Sequence, residues 1–445
     1  MSLFTTLRTG ASGLGVSGTS LGVIGDNIAN LNTTGFKGSS ANFSDVLPQY
    51  LGSSNGAQQL GRGAGVASIS TSFGQGSLRG TGNSLDVAIS GNGFFQVNKG
   101  AESFYTRDGS FHLDPDGWVS NAGGLRLQGY QATDGTVGST VGDLRLQLGT
   151  APPKATTNVI IEANLAGVSN PVDDFSATDR SGSATAADIS TLSGLADYAT
   201  STTVYDSLGK PHDVTVFMEE TATGEWSWSA VVDAGEADSG TGPDATLAGK
   251  AFEISSGSMS FDTNGELASV TGPTATAAAW NWPGAAGFAF NWEVGMDSAG
   301  VATADGKITA QGEGTSTTML ISQDGYAPGT PTGIRVDADG LISADYTNGE
   351  EMVLGQLALA TFQAEGGLER VGGNLFRGGL ASGEAALGVA GSGGRGSTVA
   401  YALEGSNVDL EDQFVNMIQA QRSYQANGSV VRKADETLQA LINLV

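Results

Sequence analysis

Leu7, Leu14, Leu21 and Ile28 recur at every seventh position near the start of the chain, and Leu403, Leu410, Met417, Tyr424, Val431, Leu438 and Val445 do the same at its end. A seven-residue period lays one apolar stripe along an α-helix, and stripes at both ends of a 445-residue chain demand partners for two long amphipathic helices. Leu3, Ile24 and Leu31 broaden the first stripe; Phe414, Ile418, Leu441 and Ile442 broaden the second. Residues 1–32 and 404–445 are therefore expected to form one helical coiled-coil domain, packed through these rows.

The first helix is poorly equipped to stand alone. Gly10, Gly13, Gly15, Gly18, Gly22 and Gly25 fall inside it, and each costs about 0.8–1 kcal/mol relative to alanine, roughly 5 kcal/mol together. The same missing side chains admit a neighbouring backbone closely, so the segment suits dense packing among several helices. In the last helix, Ser406 or Asn407 is the expected N-cap, and Asp409, Glu411 and Asp412 complement the helix dipole. Charge is divided similarly: residues 1–45 hold two cations and two anions, residues 403–445 three cations and six anions, and most of the formal charge of −26 lies between. Near-neutral ends tolerate close packing of many copies, whereas an acidic middle stays hydrated.

From about residue 66 the pattern changes to short apolar alternations, as in 85–97, 203–218 and Phe288, Phe290, Trp292, Val294. Asp-Gly pairs beginning at 108, 116, 134, 305, 324 and 339 are expected to supply left-handed turn residues. The fold class is mainly β with a terminal α-helical coiled coil, in discontinuous nested domains. Two Asp-x-Asp-Gly segments, 113–124 and 336–349, look alike and are expected to pair. A first β domain (76–150 plus 315–384) is expected to be interrupted by an inserted one (151–314), one or two cores in size. The insertion holds five of the six tryptophans.

Composition and motifs exclude several functions. With 20 Lys plus Arg against 46 Asp plus Glu, the chain lacks the cationic surface that nucleic acid requires. It has no cysteine, and its two histidines lie 100 positions apart, so no metal site is expected. Gly18-Thr-Ser20-Leu-Gly22 matches a nucleophile-elbow pattern but sits in a heptad row without a preceding strand. Gly391, Gly393 and Gly396 match a dinucleotide fingerprint without a βαβ series around them. The Asp-x-Asp-Gly segments carry Leu125 and Asn348 where a calcium loop needs Glu. No catalytic residue, cofactor or metal is expected. Neither a cleaved signal peptide nor a membrane-spanning run is visible. The Trp-rich insertion leaves a glycan-binding surface adhesin as a competing reading, and an esterase centred on Ser20 as a remote one.

Ile24 to Lys37 (IGDNIANLNTTGFK), with Asp26, Asn27, Asn30, Gly35, Phe36 and Lys37, closely resembles the signature of bacterial flagellar rod and hook axial proteins. Ala402 to Leu410 (ALEGSNVDL) and Met417 to Asn427 (MIQAQRSYQAN), with Asn407, Asp409, Gln421 and Arg422, resemble its second half. Thr81 to Ile89, Gly93 to Phe95 and Tyr105 to Gly109 resemble the first β domain of these proteins. The segments 204–213, 324–329, 346–349 and 354–360 resemble the hook members, which carry an inserted outer domain; rod members, including the distal rod protein that is the nearest rival, are shorter. The resemblance implies nested domains, with a connecting segment (33–75 plus 385–403) after the Phe36–Lys37 turn and the insertion outermost, in a structural subunit that polymerises with itself into a curved flexible tube, a universal joint passing motor torque to the filament. It implies as partners the rod, hook cap and hook–filament junction proteins and the flagellar type III export apparatus. It also implies a location in the extracellular hook, reached without a cleaved signal.

Overall fold

The computed structural model describes residues 3–47, 49–51, 58–133, 135–168, 180–237, 244–272, 282–286, 291–294, 307–312 and 314–442. They form two compact units, one of residues 1–148, 331–345 and 351–445, the other of 149–330 and 346–350.

The first unit begins with helix α1, Leu3–Ala29, and ends with a long C-terminal helix, Leu410–Ile442. The two pack together, and a hairpin of Ser39–Asp45 and Ala64–Thr71 lies against α1. The β part is a branched sheet whose main path runs Pro331–Val336, Leu341–Tyr346, Glu351–Thr361, Arg126–Thr133, Phe94–Lys99, Glu102–Thr106, Leu375–Arg377 and Glu369–Gly372. Its core contains edge-to-face aromatic pairs, including Tyr105 with Phe362 at 4.7 Å and Phe95 with Phe111 at 5.2 Å. Phe94, Phe95 and Val97 are all fully buried, because both faces of that strand are covered.

In the second unit a five-stranded antiparallel meander runs Tyr198–Tyr205, Pro211–Ala222, Glu225–Asp233, Ala251–Phe261 and Leu267–Thr271. Facing it is a sheet centred on Asn158–Ala166, which pairs in parallel with Asn291–Glu293 and Lys307–Gln311 and antiparallel with Thr317–Gln323. Side chains of both sheets, among them Ile161, Val216, Trp226, Trp228 and Trp292, share one core. The short helix α2, Ile189–Leu195, covers the other face of the meander, where Leu192 meets Phe217 and Val231. Val214, Val216 and Met218 point one way and Phe217 the other, as strand alternation requires.

Asp324 ties the return strand to the entry of this unit. It accepts hydrogen bonds from the backbone N–H groups of Thr157 (2.7 Å) and Asn158 (2.9 Å) and from the Thr157 hydroxyl, and lies 3.1 Å from Lys154 Nζ. Partial burial opposes its ionisation, but these donors prevail and hold its pKa well below the usual carboxylate range. A folded-state pKa below the unfolded value adds stability above the unfolded pKa, near 4, and loses it as pH falls toward the folded one. Asp324→Asn is expected to destabilise this unit by about 2 kcal/mol at pH 7 and to flatten its loss of stability below pH 4, measurable by thermal unfolding across pH.

Several expectations are corrected. Leu403 is not helical: Tyr401 adopts a φ of 55°, and Ala402–Glu404 then pairs with Leu78–Gly80 as a strand. The seven-residue row thus runs past the true helix start. The N-cap is neither Ser406 nor Asn407 but Asp409, whose Oδ1 accepts from the N–H groups of Glu411 (2.8 Å) and Asp412 (3.3 Å). Residues 317–323, expected in the first β domain, join the second unit's sheet through Asn158–Ala166. The two Asp-x-Asp-Gly hairpins lie in one unit and one sheet, as expected of a fold that the chain leaves and re-enters, but do not bond to each other: Phe111–Leu113 pairs with Val119–Asn121, while the second hairpin joins Glu351–Thr361. Asp114 and Asp337 cap their own turns by accepting from the N–H groups two and four residues on. Gly117, Gly135 and Gly340 adopt positive φ, but Gly109 and Gly325 do not. Gly109 is required by space instead, since a Cβ there would lie 1.6 Å from the Val87 carbonyl oxygen. Trp226, Trp228, Trp282 and Trp292 are core residues, so no tryptophan of the insertion among the described residues offers the exposed platform that the adhesin reading needs. Trp280, Phe288 and Phe290 lie outside the described residues.

Candidate assembly interface

The seam between α1 and the C-terminal helix, hereafter α3, is made of small residues rather than of the large apolar rows. On α1 the buried positions are Gly10, Ser17, Ile24 and Asn27; on α3 they are Ala420 and Ala434, with Asn427 half-buried between them. A Cβ on Gly13 would sit 2.6 Å from the Asn427 side chain, and one on Gly10 2.8 Å from Val431 Cγ2. These two glycines let the backbones approach. Leu7, Leu14, Leu21, Ile28, Leu31, Met417, Val431 and Leu438 flank the seam half-buried. Leu410, Phe414 and Tyr424 are exposed, as are Val415 and Ile418 (54% and 51%). The side chain of Leu441 lies outside the described residues.

Gly15, Gly18, Gly22 and Gly25 face open space, with no atom within 4 Å of an added Cβ among the described residues. Alanine at Gly18 removes only the glycine penalty, so Gly18→Ala is expected to stabilise the α1 helix by about 1 kcal/mol, seen as increased far-ultraviolet helicity of the dilute chain.

Below the seam, the signature residues knot the roots of both helices to the β sheet. Asn27 Nδ2 donates to Ser39 O (2.8 Å) and to Gln413 Oε1 (3.2 Å), while its Oδ1 accepts from Ser39 N–H (2.8 Å). Asn30 Nδ2 donates back to Asp26 O, 2.9 Å, closing the end of α1. Gly35 has φ 67°, and a Cβ there would strike the Asp108 backbone at 2.5 Å, so no other residue fits. Its N–H donates to Glu404 O at 2.8 Å. Phe36 is buried under the Arg370 guanidinium, 4.8 Å from the ring centre. Asn407 Oδ1 accepts from Gly38 N–H, and its Nδ2 donates to Ser72 O and Gly74 O. Gln421 and Arg422 are exposed on α3, and their side chains make no hydrogen bond or ion pair among the described residues.

At the centre of this knot lies an ion cluster that sequence reasoning missed. Lys37 and Glu404 are fully buried and 2.6 Å apart; Arg107, nearly as buried, reaches the other Glu404 oxygen at 3.2 Å. Lys37 Nζ also donates to Gly74 O, Arg107 Nη2 to Gly91 O, and Gly76 N–H to Glu404 Oε1. Burial pulls the Lys37 pKa below its ordinary value; Glu404 pushes it back by hydrogen bond and charge, and Arg107 adds to the lowering. The available signal was that Lys37, Arg107 and Glu404 each fall in one of three signature segments, beside small and apolar residues.

The other candidates lie elsewhere. Ser20 stands in α1. His212 is buried in the second unit, stacked on Trp282 at 3.8 Å, with Nδ1 2.8 Å from Glu236 and Nε2 3.3 Å from Asp206. Gly391 closes a loop onto Gly396, pinned by Arg395 donating to Leu359 O. No helix among the described residues is long and apolar enough to cross a membrane.

Four family models match successive parts of the chain. They are flagella basal body rod protein (residues 7–37), flagellar hook protein FlgE/F/G D1 domain (88–169), flagellar basal body protein FlaE D2 domain (174–326) and flagellar basal body rod FlgEFG protein C-terminal (399–444). The chain is 36% identical over 435 residues to the flagellar hook protein FlgE of Salmonella typhimurium, covering 97% of this chain and 98% of that one. It is 33% identical over 477 residues to FlgE of Treponema pallidum, covering 99% and 100%. Among solved structures, the flagellar hook protein FlgE2 of Helicobacter pylori aligns with TM-score 0.50 at 15% identity, covering 73% of this chain and all of that one, a likeness of fold. With relatives of this identity along nearly its whole length, and terminal helices knotted by the signature residues, the chain belongs to the flagellar hook protein family.

Proposed function

We propose that this chain is a structural subunit of the flagellar hook and that it polymerises through its terminal helices. The family is a structural one rather than an enzyme family. The observation that carries the reading is the apolar surface left on α3: Phe414, Val415, Ile418 and Tyr424 are each about half exposed, while the seam with α1 is built mainly from small residues. Neighbouring copies that cover this row and the open glycine face of α1 convert two weakly buried helices into a wall of a tube. Leu7, Leu14, Leu21, Ile24, Ile28, Leu31, Leu410, Phe414, Met417, Tyr424, Val431, Leu438 and Leu441 are the proposed helix-packing residues.

The division into domains follows the same logic. The helices form the inner tube and resist torsion; the two β units lie outside it and slide across polar contacts as the tube bends, which lets a curved hook rotate and pass motor torque to the filament. The chain is exported by the flagellar type III apparatus and assembles outside the cell between rod and filament, where the polymer meets the rod, cap and junction proteins. Electron microscopy of tubes assembled from the purified chain tests this: hollow curved tubes with helices innermost are expected, and compact oligomers of fixed size would contradict it. Gly18→Leu is expected to prevent these tubes without altering the melting of either β unit.

A further inference from the structure

We propose that Lys37, Arg107 and Glu404 form a latch that fixes the roots of both tails to the β sheet, so that α1 and α3 leave the first unit already in register. The three residues come from three distant parts of the chain: the segment after α1, the turn after Glu102–Thr106, and the strand before α3. One carboxylate serves two cations and the Gly76 N–H. Both cations also bond to backbone carbonyls, of Gly74 and Gly91. Arg107 lies 5.2 Å from the centre of the Phe94 ring, deep in the aromatic core.

An apolar cluster would fill this volume at lower desolvation cost. What it would not supply is direction: hydrogen bonds from two cations to two oxygens of one side chain specify one arrangement of the strands, and a slip leaves a charge buried without its partner. The backbone repeats the message, since Gly35 N–H donates to Glu404 O and Gly405 N–H to Ser77 O, 2.8 Å each. The helices above offer no comparable anchor: among the described residues of α1 and α3, the buried apolar side chains are Ile24, Ala420 and Ala434. Registry therefore has to be set at the roots. Lys37, Arg107 and Glu404 act as positioning residues for assembly and touch no ligand.

The proposal deepens the hook reading but is tested on the dilute full-length chain, independently of tube formation. Proteinase K digestion followed by mass spectrometry reads the protection of residues 33–38 and 402–408. In the native chain, cleavage is expected in the tails and to stop short of these roots. Glu404→Gln leaves two buried cations facing a neutral amide, and cleavage at the roots is expected to accelerate about 100-fold. Adding Lys37→Met removes one surplus cation and is expected to slow root cleavage at least tenfold relative to Glu404→Gln alone, a non-additive rescue that independent contacts do not give. Digestion of 198–271 in the second unit serves as the internal control. Roots equally protected in Glu404→Gln, or a double variant cleaved as fast as the single one or faster, would overturn the latch even if the single variant unfolds the first unit. Tubes failing to form from the native chain would instead count against the hook reading and leave this result standing.

Discussion

Replacing Phe414 by aspartate is expected to abolish polymerisation while both β units remain folded. Phe414 projects from α3 about half exposed in the single chain, so the substitution costs the isolated molecule little. In the proposed polymer the same position would lie against a neighbouring copy, where losing a buried aromatic costs about 1.5–3 kcal/mol per contact and an unpaired carboxylate adds several more. The loss repeats at every subunit, so growth stops rather than slows. Leu21→Asp on α1 is expected to act in the same direction. Sedimentation and electron microscopy read the polymer, and near-ultraviolet circular dichroism reads the aromatic cores. Tubes of normal length from Phe414→Asp would refute the helical interface.

A second large effect is expected in the insertion. Trp226 is 1% exposed and is among the largest side chains fully enclosed by the two sheets of the second unit. Trp226→Ala removes its contacts and leaves a cavity, a loss of about 3–5 kcal/mol. For a unit of this size that corresponds to a fall in melting temperature of roughly 10 °C or more. The first unit has its own core, around Phe94, Tyr105 and Phe376, so calorimetry is expected to show only the second unit's transition moving. Movement of both transitions by the same amount would contradict separate cores.

The elements whose chemistry is local were legible in the sequence. Leu7 to Ile28 and Leu410 to Leu438 announced the helices because a seven-residue row is a property of the chain itself, and the alternation over 203–218 announced a hairpin for the same reason. The family signatures singled out Asn27, Gly35, Lys37 and Asn407, but nothing in them announced that these residues are joined in a knot. What escaped notice depends on partners distant in sequence. Gly10 and Gly13 lie in the seam and Gly15 and Gly18 outside it, a distinction made only by where Asn427 and Val431 fall. Leu403 continued the heptad spacing by coincidence, since pairing with Arg79 decided its conformation. Thr317–Gln323 reads like any other strand, and only Asn158–Ala166 determines which sheet receives it. Nothing local marks Glu404 as a buried charge, because its two cations lie 367 and 297 positions away.

The central claim is that α1 and α3 owe their stability to neighbouring copies. Hydrogen–deuterium exchange on the dilute chain and on assembled tubes tests it directly. Amides of Leu3–Ala29 and Leu410–Ile442 are expected to exchange rapidly in the single molecule and to become protected by orders of magnitude in the tube, while Phe94–Lys99 and Pro211–Ala222 are protected in both. Helices already protected in the dilute chain, with no further slowing on assembly, would contradict the claim.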